Sequence, residues 1–260
     1  YEALSKIIID FGVQGNYLLK RNERTDYNLT KIEDTEKYRS RESTIKELNT
    51  YKLGKSKRAW ELRDIIFWKK FGITKKTLER YFVQPVSHLF LGEKILYCKH
   101  KAYCFIERKD KEETYKIYQP EEEKYKWLNN HNFSVWQGWT QLPEKGEFLI
   151  ITKSLKDVMA ISDVCNIPAV ALQTENSKPK EQVIEELRSR FTHIFVFYDN
   201  DFDKETNWGR AYGKDLADAF NFEQIEIPDS YTAKDFSDFV ALYGEVVAKE
   251  FLTNLIKRPF

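Results

Sequence analysis

Apolar positions change their spacing part-way along this chain, and the change predicts two kinds of structure. Up to about residue 50 the pattern is charged and helical, and "TIKELNTYKLGKSKRAW" leads into a basic loop around Gly54. "ELRDIIFWKKFG" has apolar residues at helical spacing and stops at Gly72. "TKKTLERYFV" predicts a second helix, with Thr74 as its N-cap and Pro85 marking its end. Residues 88–118 then alternate like strands: "HLFLGEKILYC", "KAYCFIERK" and "TYKIYQP" predict an antiparallel meander. "EEEKYKWLNNHNFSVWQGWTQLPEKGE" is aromatic, Asn-rich and irregular, and a boundary is expected between Pro143 and Gly146.

Beyond it, strands and helices alternate. "EFLIITK", "PAVALQ", "HIFVFYD" and "EQIEIP" read as strands, separated by the helices "LKDVMAISDVC", "KEQVIEELRSRF" and "GRAYGKDLADAF", and two helices close the chain. Such alternation implies right-handed crossovers and a parallel sheet. The expected fold is therefore α+β overall. Residues 144–260 form an α/β domain with a mainly parallel sheet, and residues 1–143 a basic sub-domain of helices followed by antiparallel strands. At 260 residues the chain can bury a substantial core.

Open parallel sheets bind ligands at the carboxyl ends of their strands. The stretch "IFVFYDNDFD" runs from an uncharged strand into Asp199, Asp201 and Asp203. Carboxylates this close repel one another unless a cation joins them. A hard divalent ion such as Mg²⁺ takes oxygen ligands of this kind. An EF-hand loop is excluded, because its sixth and twelfth positions need Gly and Glu and here hold Lys204 and Arg210. Lys153 and the "QTEN" turn stand at two other strand ends.

Charge sharpens the picture. Residues 1–143 hold 28 Lys+Arg and 20 Asp+Glu, whereas residues 144–260 hold 14 and 21, so a net charge of +1 conceals a basic half and an acidic half. A polyanion partner on one side and metal-binding carboxylates on the other fit this asymmetry. Cys98, Cys104 and Cys165 are too few and scattered for a zinc site or a disulfide framework, so no zinc is expected and a reducing, cytoplasmic setting fits. No apolar run is long enough to span a membrane. Because the chain begins at Tyr1, it is expected to be a fragment or a processed product.

A strand ending in "YDND", then a loop, a Gly and the helix "GRAYGKDLADAF", resembles the second signature of the Toprim domain of DnaG-type primases, topoisomerases and some nucleases. "LIITKSLKDVMAI" resembles its first signature, and "IPDSYTAKDFSDFV", with Lys234, Asp235 and Asp238, resembles the later Lys-Asp segment of primases. "KWLNN" is similar to the Lys-Tyr-Leu-Asn-Ser segment of DnaG-type primases, and "WKKFGITKKTLERYFVQPV" to the helical segment of phage primases that leads into it. The resemblance spans about residues 60–244 and points to a phage-type primase polymerase core. It implies primer synthesis on single-stranded DNA from NTPs, with two Mg²⁺ or Mn²⁺ ions held by Asp199, Asp201 and Asp203. A replicative helicase is implied as partner, in trans or in a missing C-terminal part, and the host cytoplasm as location if the chain is phage-encoded. Neither the usual zinc ribbon nor a helicase phosphate loop is present in this sequence.

One departure stands out. Where the Toprim signature has Glu-Gly, this chain has Lys153-Ser154. Lysine cannot ligate Mg²⁺. It can contact a phosphate or pair with Asp199 or Asp201. Either Glu175 replaces the missing acid as ligand or base, or the site is weakened and the chain mainly binds nucleic acid. The resemblance further implies Lys126 as a catalytic phosphate or template contact. Arg108, Lys116, Lys156 and Lys214 are expected nucleic-acid or nucleotide contacts. Asp157 and Asp235 also suit the N-termini of their helices as caps. Trp60, Phe67 and Trp68 read as core. Trp136 and Trp139 are candidates either for base stacking or for packing. Three functions compete: a primase core, a Toprim nuclease and a non-catalytic nucleic-acid-binding module.

Overall fold

The computed structural model describes residues 53–91, 94–109, 112–122, 126–130, 132, 134–174 and 177–257. The charged helices expected over residues 1–50, and Glu175, lie outside them. The described chain is α+β, with one antiparallel and one parallel sheet. It divides into two compact units, each assembled from separated stretches. The first draws on 53–60, 84–105 and 115–131, the second on 61–83, 106–114 and 132–257.

The antiparallel sheet has strands β1 (Leu53–Lys57), β2 (Val83–Leu91), β3 (Lys94–Tyr97), β4 (Tyr103–Lys109), β5 (Glu112–Tyr118) and β6 (Trp127–Asn129). Their order is β1-β2-β4-β5-β6, with β3 also on β2. The expected antiparallel strands form, but not as a simple meander, because β4 lies beside β2 and β3 branches from β2; two strands also join the sheet that the pattern did not announce. The stretch around Gly54 is not a loop but β1. It has little alternation of its own, yet pairing Leu53 with Leu91 and Gly54 with Phe90 satisfies its backbone. "KWLNN" supplies β6, paired with β5 from Lys116–Asn129 to Tyr118–Trp127. Tyr118 and Trp127 stack at 4.4 Å, and Phe105 meets Trp127 edge-on at 5.9 Å.

In the second unit, α1 (Leu62–Lys69) buries Trp68, and α2 (Lys75–Arg80) starts as predicted, with the Thr77 N–H donating to Thr74 Oγ1. The end of α2 differs from expectation. It stops at Arg80, Phe82 turns with φ 53°, and Pro85 lies inside β2. Tertiary pairing of β2 takes over the residues that periodicity assigned to the helix tail.

The parallel sheet comprises β7 (Gly146–Thr152), β8 (Ala169–Ala171), β9 (Phe191–Val196) and β10 (Glu223–Gln224) in the order β10-β9-β7-β8. Between them run α3 (Leu155–Cys165), α4 (Glu181–Arg190) and α5 (Trp208–Phe220), followed by α6 (Phe236–Tyr243) and α7 (Glu245–Ile256). Successive residues of a strand point to opposite faces. Leu149, Ile151, Ile194 and Val196 accordingly share one buried cluster with Ile184, Leu187, Leu216 and Trp136. On the intervening positions Ile150 and Phe195 are also fully enclosed, which explains the uninterrupted apolar strands. Trp136 is thus a core residue and not an exposed base platform.

The chain goes from β7 to β8 on one side and then to β9 on the other. That reversal leaves a crevice beyond the carboxyl ends of β7 and β9, the place where such sheets bind ligands. Among the described residues, no helix is long and apolar enough to cross a membrane.

Phe195 is about 1% exposed in a central strand, so Phe195→Ala should destabilise the chain by about 3–5 kcal/mol. Chemical denaturation will show this as a lower midpoint, while Leu242→Ala, at a position 58% exposed, should stay within about 0.5 kcal/mol.

Candidate active site

Two helices, α3 and α6, each bring a carboxylate to this crevice, and the segment beyond β9 brings a third. Val196 is the last residue of β9, but the Phe197 N–H still donates to the Ile151 carbonyl at 2.9 Å, which carries the chain past β7 to Asp199. Asp199 is buried, and Lys153, just beyond β7, places its Nζ 2.5 Å from Asp199 Oδ2. Gly209 lets α5 approach this point: a Cβ there would lie 2.4 Å from the Asp199 carbonyl oxygen.

Asp157 sits in the first turn of α3. Its backbone N–H donates to Ser154 Oγ at 3.2 Å, and Ser154 Oγ lies 2.5 Å from Asp157 Oδ2. Its other oxygen accepts the Ser237 N–H at 3.0 Å. Asp235 caps α6, accepting the Asp238 N–H at 2.7 Å and the Ser237 hydroxyl at 2.6 Å. Asp235 caps its helix as expected, whereas the cap of α3 is Ser154 and Asp157 lies in its first turn, where a negative charge complements the helix N-terminus. Both also turn a carboxylate oxygen towards Asp199, and Asp157, Asp199 and Asp235 each place one oxygen within 4.8 Å of the others.

Burial, then the charge of Asp235 and more weakly that of Asp199, push the Asp157 carboxyl up to about 8. Burial also works to raise Asp235, but Lys156, the Ser237 hydroxyl and the Asp238 N–H outweigh it and hold its carboxyl low. Of this pair, Asp157 keeps the proton at neutral pH and Asp235 stays ionised.

Asp201 belongs to a different set of contacts. Its Oδ1 lies 2.5 Å from Lys234 Nζ and 2.8 Å from Lys204 Nζ, and its Oδ2 accepts the Gly209 N–H at 3.2 Å. Burial would raise it, but these hydrogen bonds prevail and hold the carboxyl well below the usual range. Asn207 caps α5 and accepts the Asp201 N–H at 3.0 Å, while the Asn200 N–H donates to the Lys234 carbonyl at 2.7 Å.

The other expected site residues are dispersed. Asp203 is exposed in the same loop and is not among the three clustered acids. Lys156 lies 3.3 Å from Asp235 and 3.2 Å from Asp238, inside the acidic group. Lys214 is an exposed α5 residue paired with Asp218 at 2.9 Å. Arg108 binds Glu113 at 2.6 Å and lies over the Phe82 ring at 4.8 Å. Lys116 lies over Trp127 at 5.1 Å, and Lys126 is exposed just before β6; both belong to the first unit. Sequence reading undervalued Asp157 and Asp235, although the "KDV" and "AKDFSD" segments held the signal. It also missed Phe202 and Trp208, exposed on the acidic loop and at the start of α5.

No protein-family model and no curated protein matches the chain. Solved structures do. The primase fragment of the bacteriophage T7 primase-helicase protein is 15% identical, with a TM-score of 0.52 over 83% of this chain and 85% of that one. The DnaG catalytic core is 12% identical, with a TM-score of 0.56 over 81% and 78%. The DnaG primase catalytic domain bound to single-stranded DNA is 14% identical, with a TM-score of 0.56 over 86% and 82%. The chain has the fold of a DnaG-type primase catalytic core.

That primase fold suggests a divalent metal, and the donor set meets the suggestion in part. The carboxylates of Asp157, Asp199 and Asp235 suit a hard ion. The oxygens of Asp201, by contrast, already accept from two ammonium groups and a backbone N–H.

Two outcomes are expected. Gly209→Ala forces α5 away from Asp199 and should lower stability by about 1–3 kcal/mol in chemical denaturation. The second concerns pH. A carboxyl raised to about 8 in the folded chain binds its proton more tightly than in the unfolded one, so this group removes stability as pH rises from about 4 to about 8. In EDTA, Asp157→Asn should therefore gain on the unmodified chain across that interval and no further above pH 9. A stability difference independent of pH would refute the raised carboxyl.

Proposed function

We propose that this chain is the catalytic core of a primase, synthesising short RNA primers on single-stranded DNA. One observation carries the reading: the Asp157–Asp199–Asp235 cluster stands at the switch point of the parallel sheet in a chain with a primase fold. In the same reading residues 144–260 are a Toprim domain and residues 1–143 a basic sub-domain that meets the template.

In primer extension a 3′-hydroxyl oxygen bonds to the α-phosphorus of a nucleotide, the bond to pyrophosphate breaks, and the hydroxyl proton leaves. Asp157, Asp199 and Asp235 would hold a divalent ion, which supplies charge neutralisation for the reacting phosphate and the departing pyrophosphate. As a ligand Asp157 would be ionised, its proton released to solvent. Asp235 is already ionised, held by the first turn of α6 and by Lys156. Asp201 does structural work. By fixing Lys204, Lys234 and the N-terminus of α5 it shapes the rim of the crevice, where the ammonium groups can meet nucleotide phosphates. Lys126, Lys116, Arg108 and Lys214 are the proposed contacts for template and nucleotide phosphates. Asp203 is proposed as an outer ligand and Glu175 as ligand or base. Phe202 and Trp208, 42% and 52% exposed, offer ring faces on which bases can stack. The single-stranded DNA bound by the DnaG neighbour suggests the template, and the primase-helicase origin of the T7 fragment suggests a helicase partner.

A second reading is a DNA-binding module without catalysis. The contact between Lys153 and Asp199 favours it, since that ammonium stands where the primase signature has an acid.

Incorporation of labelled NTPs on a single-stranded template with an annealed dinucleotide decides between them. The unmodified chain should extend the primer with Mg²⁺ or Mn²⁺, and Asp157→Asn and Asp199→Asn should each reduce extension by about 100-fold or more. DNA binding without extension under either ion would leave the binding module. Cleavage of the template would indicate a nuclease.

A further inference from the structure

The lysines around the acidic crevice are each paired with its acids. Five carboxylates converge there, Asp157, Asp199, Asp201, Asp235 and Asp238, and four ammonium groups answer them: Lys153, Lys156, Lys204 and Lys234. Two of these ammonium groups, Lys204 and Lys234, bind Asp201 at the rim, and Lys156 bridges Asp235 and Asp238. Lys153 is different. It reaches into the crevice from the end of β7 and touches Asp199, a member of the clustered triad. The pair is enclosed, with side chains 20% and 7% exposed. An enclosed carboxylate that loses its cation partner carries an uncompensated charge, so this contact resists displacement more than a surface pair does.

Two-ion phosphoryl-transfer centres place two cations about 4 Å apart across shared carboxylates. Here Asp199 would be the shared ligand, and one of its oxygens already faces a positive charge at contact distance. A second divalent ion on that oxygen would meet the Lys153 ammonium as a like charge within a few ångströms, and it would find no acid at position 153 to complete its shell.

We propose that the Lys153 ammonium is a built-in cation that permanently fills one of two cation positions, so that the site takes a single exchangeable divalent ion, held by Asp157 and Asp235 together with Asp199. The inference rests on the primase reading and deepens it. The primase keeps an acidic crevice with balanced charge but replaces one soluble cation by a side chain. Lys153 is then a positioning residue that holds Asp199 in place whether or not a divalent ion is bound.

Ion counting tests this without relying on activity. The full chain, Lys153→Glu and Lys153→Met are titrated with Mn²⁺ and followed by electron paramagnetic resonance, with circular dichroism as the check on folding. The unmodified chain should bind one Mn²⁺ with a mononuclear spectrum. Lys153→Glu should bind two and show the spin coupling of a dinuclear centre. Lys153→Met, which removes the charge without adding a ligand, should gain the second ion more weakly. Two ions bound by the unmodified chain would overturn the built-in cation and leave the primase reading standing. One ion in the unmodified chain and in every folded variant would overturn it as well, because Lys153 would not be what excludes the second. No Mn²⁺ bound by any of them would overturn both this inference and the metal-dependent reading beneath it.

Discussion

Carboxylates drawn together out of water repel one another, and much of the architecture around Asp157, Asp199 and Asp235 answers that repulsion. The parallel sheet supplies the place, because its strand order reverses between β7 and β9 and leaves a crevice into which three helix N-termini open. Helix N-termini favour negative charge, and their unpaired N–H groups donate to carboxylate oxygens. Asp157, Asp201 and Asp235 each take a backbone N–H in this way. Ammonium groups and one retained proton offset what the helices do not. Few arrangements of this kind tolerate a change in spacing, which is why Gly209 matters: any side chain there would hold α5 away from the Asp199 backbone.

The same constraint separates two acids that look equivalent in the sequence. Asp199 and Asp201 are two residues apart, and on a continuing strand they would share a face. The strand does not continue. Asn200 is tied by its N–H to the Lys234 carbonyl and by its side chain to the Ile227 carbonyl, and Asn207 holds the Asp201 N–H. The turn so formed sends Asp199 to the triad and Asp201 to Lys204 and Lys234. One acid is available to a divalent ion. The other is part of the scaffold that presents the rim lysines.

Aromatic residues divide in a similar way. Trp136, in a stretch that reads as irregular and suits either stacking or packing, is sealed in the core beneath the sheet. Its neighbour Trp139 carries Lys109 over its ring at 4.0 Å. Trp208 stands largely in solvent, stacked on Tyr212 at 5.7 Å. Position relative to the sheet, not local polarity, decides which rings remain accessible.

How much was legible beforehand follows from the range of the forces involved. The alternation of apolar runs and helical periods, the Thr74 and Asp235 caps, the existence of strands between residues 88 and 118 and the acidic strand end at Asp199 depend on neighbours within a few positions, so the sequence alone determined them. The strand β1, the early end of α2 and the sealing of Trp136 depend on partners distant in the chain. The triad is the clearest case. Asp157 and Asp235 look like ordinary helix N-terminal acids, and that is what they are, one in the first turn of α3 and the other the cap of α6. Only when α3, α6 and the end of β9 pack at one crevice do their carboxylates come within reach of Asp199 and the charge of Lys153 become part of the site. Local pattern determined which residues could bear charge at helix and strand ends. Tertiary packing decided which of those charges must be balanced together, because electrostatic coupling depends on distance through space and not along the chain.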